Sequence, residues 1–293
     1  MIRILVPVFF LAIIAALLCV RWQRVLREAL QRRPELIFSV PAALSAIFCG
    51  IAAALHSFNY PLAALIVVYT FVPALYSWSM RRFPPPVWSD FILILWLWLP
   101  LEFNAGSRWV AKPAQPLVHM AAYGVSVVLG LFVFLLSRRL DGMKYNLPRS
   151  LSDVWRALIG YAVLAAILIP LGRAIGFLDP AHLPADLSPL RFVRDYLVIL
   201  AGTALPEEIL FRAMIQNCLM QRLGSGAGTL LLAAVIFGAA HLDNGPQPLP
   251  NWRYMIMASI AGFVYGAVFQ RSSSVFASAF LHALTDGTKH WFF

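Results

Sequence analysis

The chain alternates long apolar stretches with short polar connections. Runs close to the length needed to cross a bilayer occur at residues 2–20, 36–55, 61–79, 87–103, 117–137, 154–177, 192–220, 227–241, 253–270 and 274–291. The pattern predicts an all-α fold, a polytopic transmembrane helical bundle of eight to ten helices. The lower number applies because the fourth and eighth runs are short enough to be re-entrant. One run is interrupted by charge: Leu205-Pro206-Glu207-Glu208-Ile209-Leu210-Phe211-Arg212 lies inside 192–220. A charged side chain near the bilayer centre costs about 2.5 to 3.5 kcal/mol on insertion scales, so such a group marks a functional position by default. On a helix Glu208 and Arg212 are one turn apart and can pair, while Glu207 points about a quarter of a circle away. That pairing leaves one carboxylate over. Pro206 withdraws a backbone donor beside it and leaves the carbonyl of Gly202 without its usual partner.

Composition agrees with the pattern. Of 293 residues 61% are hydrophobic and 12% charged, too little polar surface for a soluble globule. The net charge of +10 suggests nucleic acid until its distribution is considered. Arg21, Arg24, Arg27, Arg32 and Arg33, then Arg81 and Arg82, then Arg138, Arg139, Lys144 and Arg149, then Arg222 and Arg271 fall in alternate connections. That is the positive-inside signature, which puts those loops in the cytoplasm and both termini outside if there are ten spans. The partner it implies is a lipid bilayer, with no nucleic acid. Past Arg149 the bias fades, so the sidedness of the C-terminal half rests on the helix count. The first run reads as a signal anchor held by the arginines after it. Cys19, Cys49 and Cys218 all lie in apolar runs and read as small buried hydrophobes.

Residues 1–150 read as an N-terminal transmembrane region with little chemistry in it. His56 with Asn59, and Glu102 with Asn104, stand at helix ends where solvation explains them. Trp78, Trp88, Trp96, Trp98 and Trp109 suit interfacial belts. The turn-rich stretch from Asp141-Gly142 to Asn146-Leu147-Pro148 leads into a working half, 151–293. There Pro180, Pro184 and Pro189 with Asp179 and Asp186 mark a polar connection, and Gly224-Ser225-Gly226 a tight turn between helices. Gly262 and Gly266 form a small-xxx-small step for close helix packing.

Three further polar positions in this half resist a packing explanation. His241 ends its run four residues after Phe237, and His282 and Asp286 project together one turn apart from the last helix. Glu207, Glu208, Arg212, His241, His282 and Asp286 come from three separate helices, and each is unpaired in lipid unless they converge. A carboxylate beside a neutral histidine in a low-dielectric cavity can take a proton from water. Donors aimed at a developing oxyanion can then stabilise a tetrahedral intermediate. This is peptide-bond hydrolysis by activated water, and it needs neither serine nor cysteine.

Glu207-Glu208-x-x-x-Arg212, Phe237-x-x-x-His241 and His282-x-x-x-Asp286, spread over about residues 195–291, resemble the three-part signature of the CPBP intramembrane glutamic proteases. That family includes CAAX-processing endopeptidases of the Rce1 type and bacterial homologues linked to bacteriocin immunity. The resemblance implies an endopeptidase acting at the membrane on a membrane protein or peptide, lipidated tails included, in the inner (plasma) membrane of a bacterium. By it Glu207 is the general base, His241 its partner on water, and His282 with Asp286 faces the oxyanion. Glu208 and Arg212 brace the helix, with Phe237 in support. The last position is commonly asparagine in such proteins. An ionised Asp286 repels an oxyanion, so here it is protonated, orients His282, or binds a cation.

Neither a cofactor nor a metal is expected. Two histidines and three carboxylates can hold zinc, which keeps a metalloprotease open as the alternative mechanism, but no His-Glu-x-x-His helix is present and Arg212 in the cluster opposes a divalent cation. A non-proteolytic scaffold or immunity protein and a proton-coupled transporter fit the same residue types. A transporter favours inverted repeats with broken helices in both halves, whereas the polar positions here concentrate in one.

Overall fold

A computed structural model describes residues 2–184, 188–245 and 248–293. Asp186 of the polar connection lies outside the described residues. Every regular element among them is helical. Contacts divide the chain into two units, Met1–Asp141 and Gly142–Phe293.

The N-terminal unit contains α1 (Ile2–Ala16), α2 (Val20–Arg32), α3 (Ser39–Ala54), α4 (Tyr60–Ser79), α5 (Trp88–Glu102) and α6 (Gln115–Gly130), the last continued by a π-helix, Leu131–Ser137. Helix α6 is its axis. Ala121, Val125 and Leu129, spaced by four, are fully buried, and α1, α3 and α5 pack around them. A buried ion pair closes one end: Arg138 Nη2 lies 3.0 Å from Asp90 Oδ2, and Arg138 Nη1 donates to the carbonyls of Met80 and Phe83. The polar residues at helix ends serve those ends. Asn59 Oδ1 accepts from Leu62 N at 3.0 Å and caps α4, and Trp98 Nε1 donates to Glu102 at 2.8 Å.

The C-terminal unit contains α7 (Leu151–Ala174), α8 (residues 189–223), α9 (Ala227–Ala239), α10 (Trp252–Arg271) and α11 (Phe276–Phe292). Helix α8 is continuous but not regular: π-turns at Leu200–Ala204 and Ile209–Gln216 flank the α-helical Leu205–Glu208. The wider turns occur where Pro206 removes a backbone donor, so the helix absorbs the proline without breaking. It ends at Gly224, whose φ of +89° reverses the chain into α9. Helices α9 and α10 form the most extensive pairing of the unit. Gly262 permits it, since a Cβ there would come within 3.4 Å of Ala234 Cα and 2.8 Å of the Phe237 ring. At the far end of α10, Lys144 Nζ donates to the carbonyls of Phe269, Gln270 and Ser272 and closes the helix C-terminus.

The protein is a multi-pass integral membrane protein. Among the described residues five helices are long and apolar enough to cross a membrane: Pro34–Ala54, Tyr60–Ser79, Lys112–Ser137, Leu151–Ala174 and Trp252–Arg271. A sixth arises if Arg3–Ala16 and Val20–Arg32, bent by 84°, count as one span. The remaining apolar runs miss that standard for visible reasons. Helices α5, α9 and α11 have 15, 13 and 17 residues, and α8 carries Glu207, Glu208 and Arg212 at its middle.

Candidate active site

Four helices of the C-terminal unit deliver the site. Helix α8 brings Glu207, Glu208 and Arg212, α9 brings Phe237 with His241 just past its end, α10 brings Tyr254 and Tyr265, and α11 brings His282, Asp286 and Lys289.

His282 is at the middle of the charge cluster. Its Nδ1 lies 3.1 Å from Glu208 Oε1, and its Nε2 lies 3.4 Å from Asp286 Oδ2 and 3.9 Å from Glu207 Oε2. Both ring nitrogens therefore face carboxylate oxygens, an arrangement that only the doubly protonated ring satisfies with a donor on each side. Glu208 shares its second oxygen with Arg212, whose Nε donates to Oε2 at 3.1 Å; both side chains are fully buried. The sequence spacing suggested the pair, but not its link to His282. Glu208 thus connects the imidazole to the guanidinium instead of only bracing its own helix.

Charge accounting separates the three acids. Arg212 balances Glu208, and the His282 imidazolium balances Asp286. Glu207 meets the same imidazolium only at 3.9 Å, and its Oε2 is buried with no hydrogen-bond donor. The terminal nitrogens of Arg212 likewise find no acceptor. The guanidinium lies instead over the ring of Phe237, 4.6 Å from its centroid.

Phe237 is the packing hub. Its ring meets those of Phe211 at 4.9 Å, His241 at 4.8 Å and His282 at 5.7 Å. Its carbonyl also sets the state of His241, whose Nδ1 lies 2.9 Å from that oxygen. A carbonyl only accepts, so Nδ1 carries the proton and the neutral ring keeps a lone pair on Nε2. Tyr254 packs on the His241 ring at 4.6 Å, and Tyr265 stacks on His282 at 4.6 Å.

His241, His282 and Asp286 line one cleft of about 80 Å³ with Tyr254, Tyr265 and Lys289. It has room for water and is well below the size of pockets that enclose organic ligands. Glu207 is not among the lining residues and meets them through His282, on the same Nε2 that faces Asp286. A larger cavity of about 550 Å³ belongs to the N-terminal unit, where Phe48, Ile66, Tyr69 and Val118 contribute to its wall and no carboxylate does, so volume alone points away from the chemistry. No group of three His, Cys, Asp or Glu among the described residues is arranged to hold a metal ion.

Sequence reading missed Tyr254, Tyr265 and Lys289. Lys289 had a signal, since it falls three residues after Asp286 and seven after His282, on their face of α11. The tyrosines share a face of α10 eleven residues apart, but in the sequence of that helix only the glycines stand out.

Residues 189–288 match the family model described as Type II CAAX prenyl endopeptidase Rce1-like. No curated protein matches the chain, and no solved structure does.

Proposed function

We propose that this membrane protein, which carries an Rce1-like domain and is by that family a peptide-bond hydrolase, cleaves its substrate with a water activated by Glu207 and His241. The observation that carries the proposal is a carboxylate oxygen left without a donor. Glu207 Oε2 is buried, lacks a donor, and lies 3.9 Å from an imidazole whose other contacts are already acidic.

The proposed sequence of events requires one water to reach both Glu207 and His241. A water between Glu207 and His241 donates one hydrogen to the carboxylate and the other to the Nε2 lone pair of His241, which leaves its oxygen lone pair facing the substrate carbonyl. Glu207 takes the proton as the C–O bond forms. The negative charge then moves to the carbonyl oxygen, which shares the Nε2–H of His282 with Asp286 in a three-centre hydrogen bond. Asp286 keeps the His282 ring oriented and charged, and so acts on the oxyanion through the imidazole. This is the orienting role among the three open to an aspartate at that position. Collapse of the intermediate breaks the C–N bond, and protonated Glu207 returns its proton to the leaving amine. Atoms and charge balance without a covalent enzyme intermediate.

The substrate is a peptide or the tail of a membrane protein, lipidated or not. With room only for water in the resting cleft, it enters laterally as the helices part. The positive-inside bias and the bacterial members of the resembled family support a bacterial inner membrane as its location.

The test is Glu207→Gln in purified, reconstituted protein. Loss of a general base lowers kcat by about 10² to 10⁴ with KM little changed, because the substitution keeps the shape. A parallel comparison of membrane proteomes with the wild-type and Glu207→Gln chains is expected to show a terminus that is processed only with the former. Cleavage by the variant within about threefold of wild type would remove the general-base assignment, and an unaltered cellular phenotype would favour a scaffold.

A further inference from the structure

Helix α2 is not used by the mechanism. It has three distinct faces. Gln23, Arg27 and Leu30 point to the protein, Trp22, Val25, Leu26 and Ala29 recur at i, i+3, i+4 and i+7 on a second face, and Arg21, Arg24, Glu28 and Arg32 occupy the third. The apolar face is uncovered: Trp22 is 59% exposed, Val25 48% and Leu26 37%. In a soluble protein such a stripe faces a partner. Here it is continuous with α1, which leaves Ile4, Leu5, Val8 and Phe9 exposed as a lipid-facing helix does.

The orientation of α2 is fixed on two sides. The chain bends 84° between α1 and α2, and the buried Gln23 amide holds the bend by donating to the Leu17 carbonyl at 2.8 Å, one of those left open at the end of α1. Farther along, the Arg27 guanidinium donates through Nε and Nη2 to the Leu135 carbonyl at 3.0 and 2.8 Å, and Arg139 Nη2 returns a bond to the Arg27 carbonyl at 3.1 Å. Leu135 belongs to the last turn of the span Lys112–Ser137. A helix turned nearly perpendicular to the lipid-exposed α1 and tied to the last turn of the span Lys112–Ser137 lies at the level where hydrocarbon meets headgroups.

We propose that α2 lies in the plane of the membrane and recruits anionic phospholipids. Its apolar face sinks to the acyl boundary, and Arg21, Arg24, Arg32 and Arg33 contact acidic headgroups. Glu28 is the one acid in the helix, so the exposed face is strongly cationic. Amphipathic helices that are only weakly apolar as a whole, with arginine on the polar face, bind interfaces in this way, and each arginine near an acidic surface contributes about a fivefold gain in association.

The experiment uses the full chain with Cys19, Cys49 and Cys218 replaced by alanine, spin-labelled singly at Trp22→Cys, Leu26→Cys, Arg24→Cys or Glu28→Cys, in nanodiscs of phosphatidylcholine alone or equimolar with phosphatidylglycerol. Labels at 22 and 26 are expected to be reached by oxygen and shielded from a water-soluble nickel chelate, and labels at 24 and 28 the reverse. Spin-labelled phosphatidylglycerol is expected to associate several-fold more than phosphatidylcholine, falling to about equal in R21Q/R24Q/R32Q/R33Q and persisting in the corresponding four-lysine variant. Both arginine variants retain Arg27, and an unchanged melting temperature shows that the helix stays docked. Nickel access to all four labels overturns the in-plane placement. Lipid preference that survives the glutamine variant overturns the anionic recognition.

Discussion

Replacing Glu208 by glutamine keeps the side-chain shape and removes one charge from a site with almost no exposure. Two charged donors depend on that carboxylate, the His282 Nδ1–H on Oε1 and the Arg212 Nε–H on Oε2, each at 3.1 Å. Glutamine offers one oxygen to the two of them, and its amide protons face whichever donor the oxygen abandons. Arg212, fully buried, then loses its directly paired counter-charge, with the rings of Phe237 and Tyr265 as its remaining contacts. Removing one member of a buried ion pair destabilises a protein by about 3 to 5 kcal/mol, whereas replacing both members with apolar residues is often close to neutral. Glu208→Gln is therefore expected to lose stability by about that amount, and Glu208→Gln with Arg212→Met to regain most of it. Equilibrium unfolding in detergent or bicelles, run as a double-mutant cycle, reads the coupling. The activity of Glu208→Gln is expected to fall as well, since His282 loses the partner that fixes its ring. A loss below about 1 kcal/mol for the single variant, or strictly additive effects, would refute the reasoning.

Other expectations follow from the same contacts. Gly262→Ala places a methyl against the Phe237 ring and the Ala234 backbone, and is expected to lower stability by about 1 to 3 kcal/mol, read as a fall in melting temperature. Asp286→Asn keeps an acceptor for His282 Nε2 and is expected to lower kcat by about tenfold or less, whereas Asp286→Ala loses about 10² or more; equal losses in a steady-state assay would remove the orienting role. Protein treated with chelator is expected to retain peptidase activity because a guanidinium belongs to the cluster, and loss on chelation with recovery on adding zinc would replace this mechanism with a metal-dependent one.

The helical, membrane-spanning class was legible because apolar runs of spanning length leave few alternatives. The Rce1-like resemblance was legible because charges inside such a run are costly enough to stand out. Spacing also gave contacts within one helix: Glu208 with Arg212 and His282 with Asp286 are one turn apart, and the structure joins both pairs. Contacts across helices were not available from spacing. The bond between Glu208 and His282 depends on how α8 is rotated, and the π-turns around Pro206 change that rotation in a way periodicity cannot supply. Span counting met the same limit. Hydropathy windows merge α1 and α2 into a run and its charged tail, while the bend between them depends on one glutamine capping Leu17. Tyr265 was hidden for another reason. A tyrosine in an apolar helix reads as core, and its stacking on His282 becomes visible only when two helices are placed side by side.

The central claim is that Glu207 and His241 act on one water as a unit. The most direct measurement is kcat for Glu207→Gln, His241→Ala and the double variant on one peptide in one lipid. A large loss is expected for each single change and a double variant no slower than the worse of the two, since groups that act together are not additive. Losses that multiply, or a Glu207→Gln protein that still turns over near the wild-type rate, would contradict it.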